Sequence, residues 1–265
     1  MIHFIIGLMI SFIISFTAYK KSSLNFSGFL AAVVLGTGIY FFGGFWFYII
    51  MLSFFISSSL LTKYKKDVKE NIENLNEKNG ARDYVQVFVN GGIGLVCAVL
   101  FHIYDNPIYF LSYGVSFAVS TADTWASEIG VLSKSNPLSI LNFKPIEKGL
   151  SGGVTILGTM FSILGSGFIA LIFFIAYISM YNNIEKGFIC SLLCLCLGFL
   201  GSIIDSILGA SVQAQYYCEP LKSYTEKKTY KDKQNKLIKG FSIINNDVVN
   251  FVSNLLSTVL VFIFM

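Results

Sequence analysis

Long apolar runs separated by short polar intervals dominate the chain. No Asp, Glu, Lys or Arg occurs in residues 22–62, 106–122, 149–184, 187–204 or 248–265. Runs of about 20 apolar residues cross a bilayer as helices. Strands of a membrane barrel would alternate polar and apolar positions, and these runs do not. The pattern predicts helices near 2–18, 27–41, 45–62, 85–102, 107–126, 154–178, 187–210 and 247–264. The first run lacks the basic leader and cleavage site of a signal peptide and reads as a helix. As one helix, 22–62 would be about 60 Å long, twice the hydrocarbon thickness. Gly43-Gly44 near its middle therefore reads as the turn of a hairpin. The expected fold is all-α: a polytopic bundle of about eight transmembrane helices in a single domain, 1–265. Its expected cytoplasmic loops are about 63–84, 127–153 and 211–245.

Composition sharpens this picture. The 265 residues are 54% hydrophobic and 13% charged, against about 25% charged in soluble domains. That excludes a soluble enzyme, a disordered chain and a disulfide-stapled secreted domain. The five cysteines lie in or just past apolar runs without a CxxC pair, so they read as packing residues rather than zinc ligands.

Charge orients the bundle. The loops after the first, third, fifth and seventh helices hold eighteen of the nineteen Lys and Arg residues, and Lys186 is the exception. The positive-inside rule puts those loops in the cytoplasm and both termini outside a cell membrane. The same lysines suit anionic lipid headgroups. The two long loops mix Lys with Asp and Glu, which reads as solvated or partly helical segments rather than a nucleic-acid surface.

Ionisable groups within spans are costly and are functional candidates by default. Asp123, Glu128 and Asp205 qualify, and Asp247 starts the last helix. The topology gathers them at one depth, towards the cytoplasmic ends of their helices. In the segment 120–130, helical spacing puts Ser120, Asp123 and Ser127 on one face, with Thr121, Thr124 and Glu128 beside it. In 198–213, Ser202, Asp205 and Gln213 share a stripe with two glycines, and Ser206 lies beside it. Both segments read S-x-x-D-[ST], a hint of internal duplication. Either segment could simply be small-residue helix packing around a hydrogen-bonded acid. No Lys or Arg on the same helices neutralises the acids, so Mg²⁺ held by Asp123, Glu128, Asp205 and Asp247 is the expected partner, or some acids stay protonated. The segment from Lys144 through Lys148, Gly149, Ser151, Gly152 and Gly153 to Thr155 leads into a helix, and reads as a phosphate loop or as a plain turn. Arg82 joins the loop as a phosphate-binding candidate, while Gln86 with Asn90, and Asn246 with Asn250, read as substrate contacts or as caps and interhelical pairs. His3 and His102 fall near the opposite face and are assigned no chemistry.

These residues resemble a membrane family. S-x-A-D-T-x-A-S-E-I-G at 120–130, G-x-x-G-S-x-x-D-S-x-L-G-A-x-x-Q-A at 198–214, K-G-x-x-G-G-V at 148–154, R-x-x-x-Q-V at 82–87 with N-G at 90–91, and N-D-x-V-N at 246–250 are similar to the phytyl-phosphate kinases of vitamin E synthesis and their transmembrane protein 19 relatives. The likeness covers nearly the whole chain. It departs at Leu150-Ser151, where a Thr-Asn-like pair is expected. The resemblance implies phosphoryl transfer from CTP to a prenyl monophosphate, giving the diphosphate.

The expected function is thus a Mg²⁺-dependent membrane kinase, with a prenyl phosphate, CTP or ATP, and the bilayer as partners and with no nucleic acid. Asp123, Asp205 and Lys148 are its candidate catalytic residues. A lipid-alcohol kinase or cytidylyltransferase, and an ion-coupled lipid transporter or flippase, are the alternatives.

Overall fold

The structure, a computed structural model, describes residues 2–66, 68–69, 80–231 and 233–265. Lys78 and most of the interval 67–79 lie outside them. Seven long helices are described: α1 Ile2–Lys20, α2 Phe26–Lys63, α3 Tyr84–Tyr104, α4 Pro107–Gly130, α5 Ile156–Tyr181, α6 Ile184–Ser211 and α7 Asn246–Phe264. The hairpin expected at 43–44 lies within α2. Gly44 sits at φ 78°, ψ −160°, outside helical geometry, in a region that favours glycine. The two arms, 26–43 and 45–63, fold back on each other. Tyr40 meets Tyr48 edge-on at 5.6 Å, and Lys63 at the far end donates to the Lys21 carbonyl at 2.7 Å. Seven helices with one such fold-back give eight membrane-long segments.

Asx or Thr residues start the helices, as their side-chain oxygens accept from free first-turn N–H groups. Asn25, Asp83, Asn106, Thr155, Asn183 and Asn245 are the N-caps, and Asp83 forms a capping box with Gln86. At two further tight turns away from the lysine-rich end, a left-handed residue ends one helix and an Asn starts the next: Asp105-Asn106 and Asn182-Asn183.

The helix α4 is the axis. Phe110 through Ala122 are all buried in it, and α2, α3, α5, α6 and α7 pack around it. Among the described residues, six helices are long and apolar enough to cross a membrane, by length and composition. The exception, α4, trades hydropathy for small polar residues that face protein. Gly198 of α6 shows how close the neighbours come: a Cβ there would stand 2.6 Å from Ala118 Cβ. Small residues at such crossings let backbones approach.

The two ends of the bundle differ. Towards the 105–106 and 182–183 turns, aromatic rings fill the core: Phe47–Tyr113 centroids lie 4.5 Å apart, Phe110–Phe173 4.6 Å and Phe47–Phe110 4.8 Å. Tyr113 Oη donates to the Phe47 carbonyl at 2.5 Å. Buried rings in such offset geometries add to area burial. His3 and His102 pack on aromatic rings near that end.

The opposite, lysine-bearing end carries the long loops. The loop 211–245, expected to be solvated or partly helical, holds short strands, the last two of them exposed. The loop 127–153 holds one strand of a further pair, while most of 67–79 lies outside the described residues. β1 Leu138–Ser139 pairs antiparallel with β2 Gly153–Val154. Between α6 and α7, β3 Gln215–Cys218 is flanked by β4 Ser223–Thr225 and β7 Lys236–Lys239, and β5 Thr229–Tyr230 pairs with β6 Lys233–Gln234. Alternating residues such as Gln215-Tyr216-Tyr217-Cys218 bury every second side chain, which a charge census does not see.

Gly198→Val should force α6 off α4 and cost about 1–3 kcal/mol, read as a lower thermal midpoint of the purified protein in detergent. Gly92→Ala, where the nearest atom lies 4.0 Å away, should leave that midpoint unchanged or slightly raised.

Candidate functional site

The lysine-bearing end encloses a cavity of about 520 Å³. Its walls come from α4 (Asp123, Ser127, Glu128), α6 (Ser202, Asp205, Ser206), the start of α7 (Asn246, Asp247), Gln86 of α3, and the loop residues Lys148, Gly149, Ser151, Gly152, Gly153 and Thr155. Residues far apart in sequence thus share one chamber. Asp123 lies seven residues before the end of α4 and Asp205 six before the end of α6, each about 10 Å along its helix at 1.5 Å per residue.

The two aspartates differ in their partners. Asp205 Oδ2 accepts from Ser253 Oγ at 3.0 Å and, with the Asn250 amide turned to donate, from Asn250 at 2.9 Å. Asp123 makes no hydrogen bond or ion pair with any described residue. Asp205 lies close enough to Asp123 and to Glu226 to feel both charges. Glu226, from just past β4, also lines the cavity. Its Oε1 accepts from the Ser151 hydroxyl and from Gln213 Nε2 at 2.9 Å, tying the glycine loop to the end of α6. Sequence reasoning placed Glu226 in a solvated loop and missed it.

Several predicted residues turn out to form the frame. Asn254 Nδ2 donates to Ser120 Oγ at 3.0 Å, and Ser120 Oγ donates to the Asn90 carbonyl at 3.0 Å. Asn90 Nδ2 bonds the Gln86 carbonyl at 2.8 Å, and Thr124 bonds the Ser120 carbonyl at 2.7 Å. Together these bonds join α3, α4 and α7. Ser162 and Ser202 are hydrogen-bonded between α5 and α6. Ser253 and Asn254 were missed, although Asn246, Asn250 and Asn254 recur every fourth residue and extend one stripe.

Four of the expected groups have other surroundings in the structure. Glu128 is not available as drawn: Thr62 Oγ1 donates to its Oε1 at 2.6 Å, and Lys69 Nζ to its Oε2 at 2.6 Å. Lys69 is 1% exposed and also holds the Leu61 carbonyl, so a loop lysine supplies the neutralising charge that the helices lack. Among the described residues, no three His, Cys, Asp and Glu side chains form a metal cluster, so the four-acid set does not converge. Lys144 is exposed and outside the cavity. In the loop, Gly153 N–H closes a turn on the Leu150 carbonyl at 3.2 Å, and Thr155 Oγ1 caps α5 through Gly158 N–H at 3.0 Å. Both groups are thereby committed to the fold.

The loop is nonetheless held tightly. Gly152 sits at φ 79°, and a Cβ there would meet Ala210 Cβ at 2.3 Å, so the loop backbone lies directly on α6. Lys148 faces the cavity and donates to the Ser133 carbonyl at 2.5 Å. Arg82 is elsewhere. It lines a second, apolar slot together with Gln86 and Asn90, and its guanidinium lies over Phe54 at 5.6 Å and Phe55 at 5.9 Å. Burial pulls that guanidinium below its ordinary value, with Glu128 opposing the shift.

Comparison with known proteins agrees with the membrane architecture. The profile described as integral membrane protein DUF92 matches residues 9–258. Protein PGR of Arabidopsis thaliana is 34% identical over 97% of this chain and 94% of its own length. An uncharacterized membrane protein of Methanocaldococcus jannaschii is 29% identical over 79% of this chain and 83% of its own. Protein VTE6, chloroplastic, of Arabidopsis thaliana is 26% identical over 88% of this chain and 62% of its own. No solved structure matches the chain.

Lys69→Met would strand the Glu128 carboxylate and should destabilise the protein by about 3–5 kcal/mol. Adding Glu128→Gln should recover most of that loss. A thermal-unfolding double-mutant cycle reads both effects.

Proposed function

The chain belongs to the integral membrane protein DUF92 family, and from that premise we propose that it is a membrane-embedded prenyl-phosphate kinase. One observation carries the reading. Two aspartates from different helices, one of them without a partner among the described residues, face a single chamber together with a glycine-rich loop and a lysine. The motif resemblance to phytyl-phosphate kinases supports the substrate class, and the apolar bundle suits a lipid acceptor.

The donor set fits Mg²⁺. Carboxylates of Asp123 and Asp205, with hydroxyl and amide oxygens around them, are hard ligands. This ion is commonly bound through one or two carboxylates plus substrate phosphates rather than by an all-protein cage. Asp123 and Asp205 would hold it, and it would supply charge neutralisation for the nucleotide phosphates. Glu128 is left to its ion pair with Lys69, and Asp247 to the first turn of α7, where a negative charge is favoured.

The residues of the chain do the positioning. Ser253 and Asn250 fix the orientation of Asp205. Glu226, through Ser151, holds the loop against α6. Lys148 offers a cation to the phosphoryl group in transit. Phosphoryl transfer needs positioning and charge stabilisation more than covalent chemistry. A phosphate acceptor is already ionised, so the absence of a histidine from the cavity lining is no obstacle. The carboxylates lie near one end of their helices, and aromatic rings pack the other. That arrangement favours an enzyme served from one compartment over a transporter with a midplane site. By the lysine distribution that compartment is the cytoplasm, with both termini outside.

Purified protein with Mg²⁺, CTP or ATP, and a panel of prenyl alcohols and monophosphates should yield a prenyl diphosphate and a nucleoside diphosphate by mass spectrometry. A monophosphate made from an alcohol would identify a lipid-alcohol kinase. A CDP-lipid with pyrophosphate would identify a cytidylyltransferase. Asp123→Asn should lower turnover by at least about 10³-fold, a loss of about 4 kcal/mol of transition-state stabilisation, with the thermal midpoint kept. Full turnover in that variant would remove Asp123 from the mechanism.

A further inference from the structure

The turn that follows β1 carries a phenylalanine whose place the fold does not explain. Phe143 is 71% exposed and sits at φ 54°, the only aromatic residue among the described non-glycine residues with a left-handed backbone. That region penalises a bulky L residue, and glycine, Asn or Asp is its ordinary occupant. Burial does not offset the cost, because the ring lies outside the buried core. Backbone strain kept at such a position points to function rather than to stability.

The turn is firmly built and is joined to the glycine loop. Phe143 N–H donates to the Ser139 carbonyl at 2.8 Å, Ser139 N–H to the Lys144 carbonyl at 2.9 Å, and Lys144 N–H to Asn142 Oδ1 at 3.0 Å. Ile140 N–H donates to the Gly152 carbonyl at 3.0 Å, and Ser139 pairs with Gly153 across β1 and β2. One hydrogen-bonded unit thus carries both the ring and the glycines. Phe143 lines the main cavity together with Pro137 and Ile140 of the same turn. The chamber that holds Asp123, Asp205, Lys148 and the glycine loop therefore also offers an aromatic face, at a point open to water.

We infer that Phe143 is a stacking platform for the base of the nucleotide, whose phosphates reach inward to the glycine loop and the two aspartates. This subsite deepens the kinase reading and rests on it for the presence of a nucleotide. The ring's exposure, its left-handed backbone and its place on the cavity lining argue for an aromatic contact independently of that reading. Stacking is tolerant, because every base has a π-face. Pro137 and Ile140 carry no hydrogen-bonding side-chain group, so the turn takes the base by its face rather than reading its edge. ATP and CTP should both be accepted on those terms. The other surface that an exposed ring at this end could meet is the bilayer interface, and the neighbouring Leu141, also exposed, does not line the cavity.

The test is equilibrium binding of ATP, CTP and inorganic tripolyphosphate, each with Mg²⁺, to the purified full-length protein in detergent, so that no turnover is required. Phe143→Gly should weaken ATP and CTP about tenfold and tripolyphosphate, which has no base, less than about twofold. The same variant relieves the left-handed strain and should keep or raise the thermal midpoint. Phe143→Leu, apolar but without a π-face, should weaken both nucleotides as well, and Phe143→Trp should hold them within about twofold of the unsubstituted protein. Undiminished nucleotide binding in Phe143→Gly or Phe143→Leu, an equal loss for tripolyphosphate, or a marked fall in the midpoint of Phe143→Gly would overturn the platform. If Phe143→Gly does not fold, Phe143→Leu decides alone. In nanodiscs containing brominated phosphatidylglycerol, the extra emission of Phe143→Trp should be quenched by nucleotide and not by the lipid. Quenching by the lipid alone would assign the ring to the bilayer and overturn the platform. Phe143-dependent nucleotide binding without turnover would sink the kinase reading and leave the platform standing. Turnover with unaltered binding in the variants would do the reverse.

Discussion

Two carboxylates brought to one cavity inside a membrane bundle are the constraint on which everything else depends. A carboxylate removed from water without a partner is expensive. Asp205 is met by Ser253 and Asn250 from α7, whereas Asp123 has only the cavity. The chain keeps both on the most buried helix and its neighbour, where a membrane protein gains nothing in stability from them. On the proposed reading, a cation and phosphates complete the charge balance in this cavity, where oxygen donors surround the two acids.

The bundle is arranged to keep that cavity in place. At one end, Phe47, Phe110, Tyr113 and Phe173 fill the space between helices. At the other, small and polar residues draw the helices together without filling it. The hydrogen-bonded series Asn90, Ser120 and Asn254 sets the spacing of α3, α4 and α7, and the glycine loop lying on Ala210 sets that of the 148–155 segment against α6. Buried networks of this kind rigidify when their members are satisfied. The Lys69–Glu128 pair does a related job, fastening the chain after α2 to α4 beside the cavity.

Much of this is legible in the sequence because its causes are local. Charge-free runs give the helices, and the Gly43-Gly44 step marks the fold-back. The two S-x-x-D-[ST] segments point to the acids that line the cavity. Other features depend on which loop returns to which helix. Lys69 looks like one more topological lysine until it is seen against Glu128. Glu226 looks solvated until β3 and β4 carry it over the cavity to Ser151 and Gln213. Arg82 sits near the cavity in sequence logic, yet Phe54 and Phe55 hold it over a neighbouring slot. Strands of two to four residues leave no periodicity long enough to detect. Ser253 and Asn254 were within reach, because they continue the stripe begun by Asn246 and Asn250.

In the proposed kinase, Asp123 and Asp205 together hold one divalent cation with the nucleotide. Titration of the purified protein with Mn²⁺ in the presence of CTP, followed by electron paramagnetic resonance, tests it most directly. One nucleotide-dependent Mn²⁺ site per chain is expected, weakened at least tenfold by Asp205→Asn in a protein that keeps its thermal midpoint. A site of undiminished affinity in that variant would contradict it.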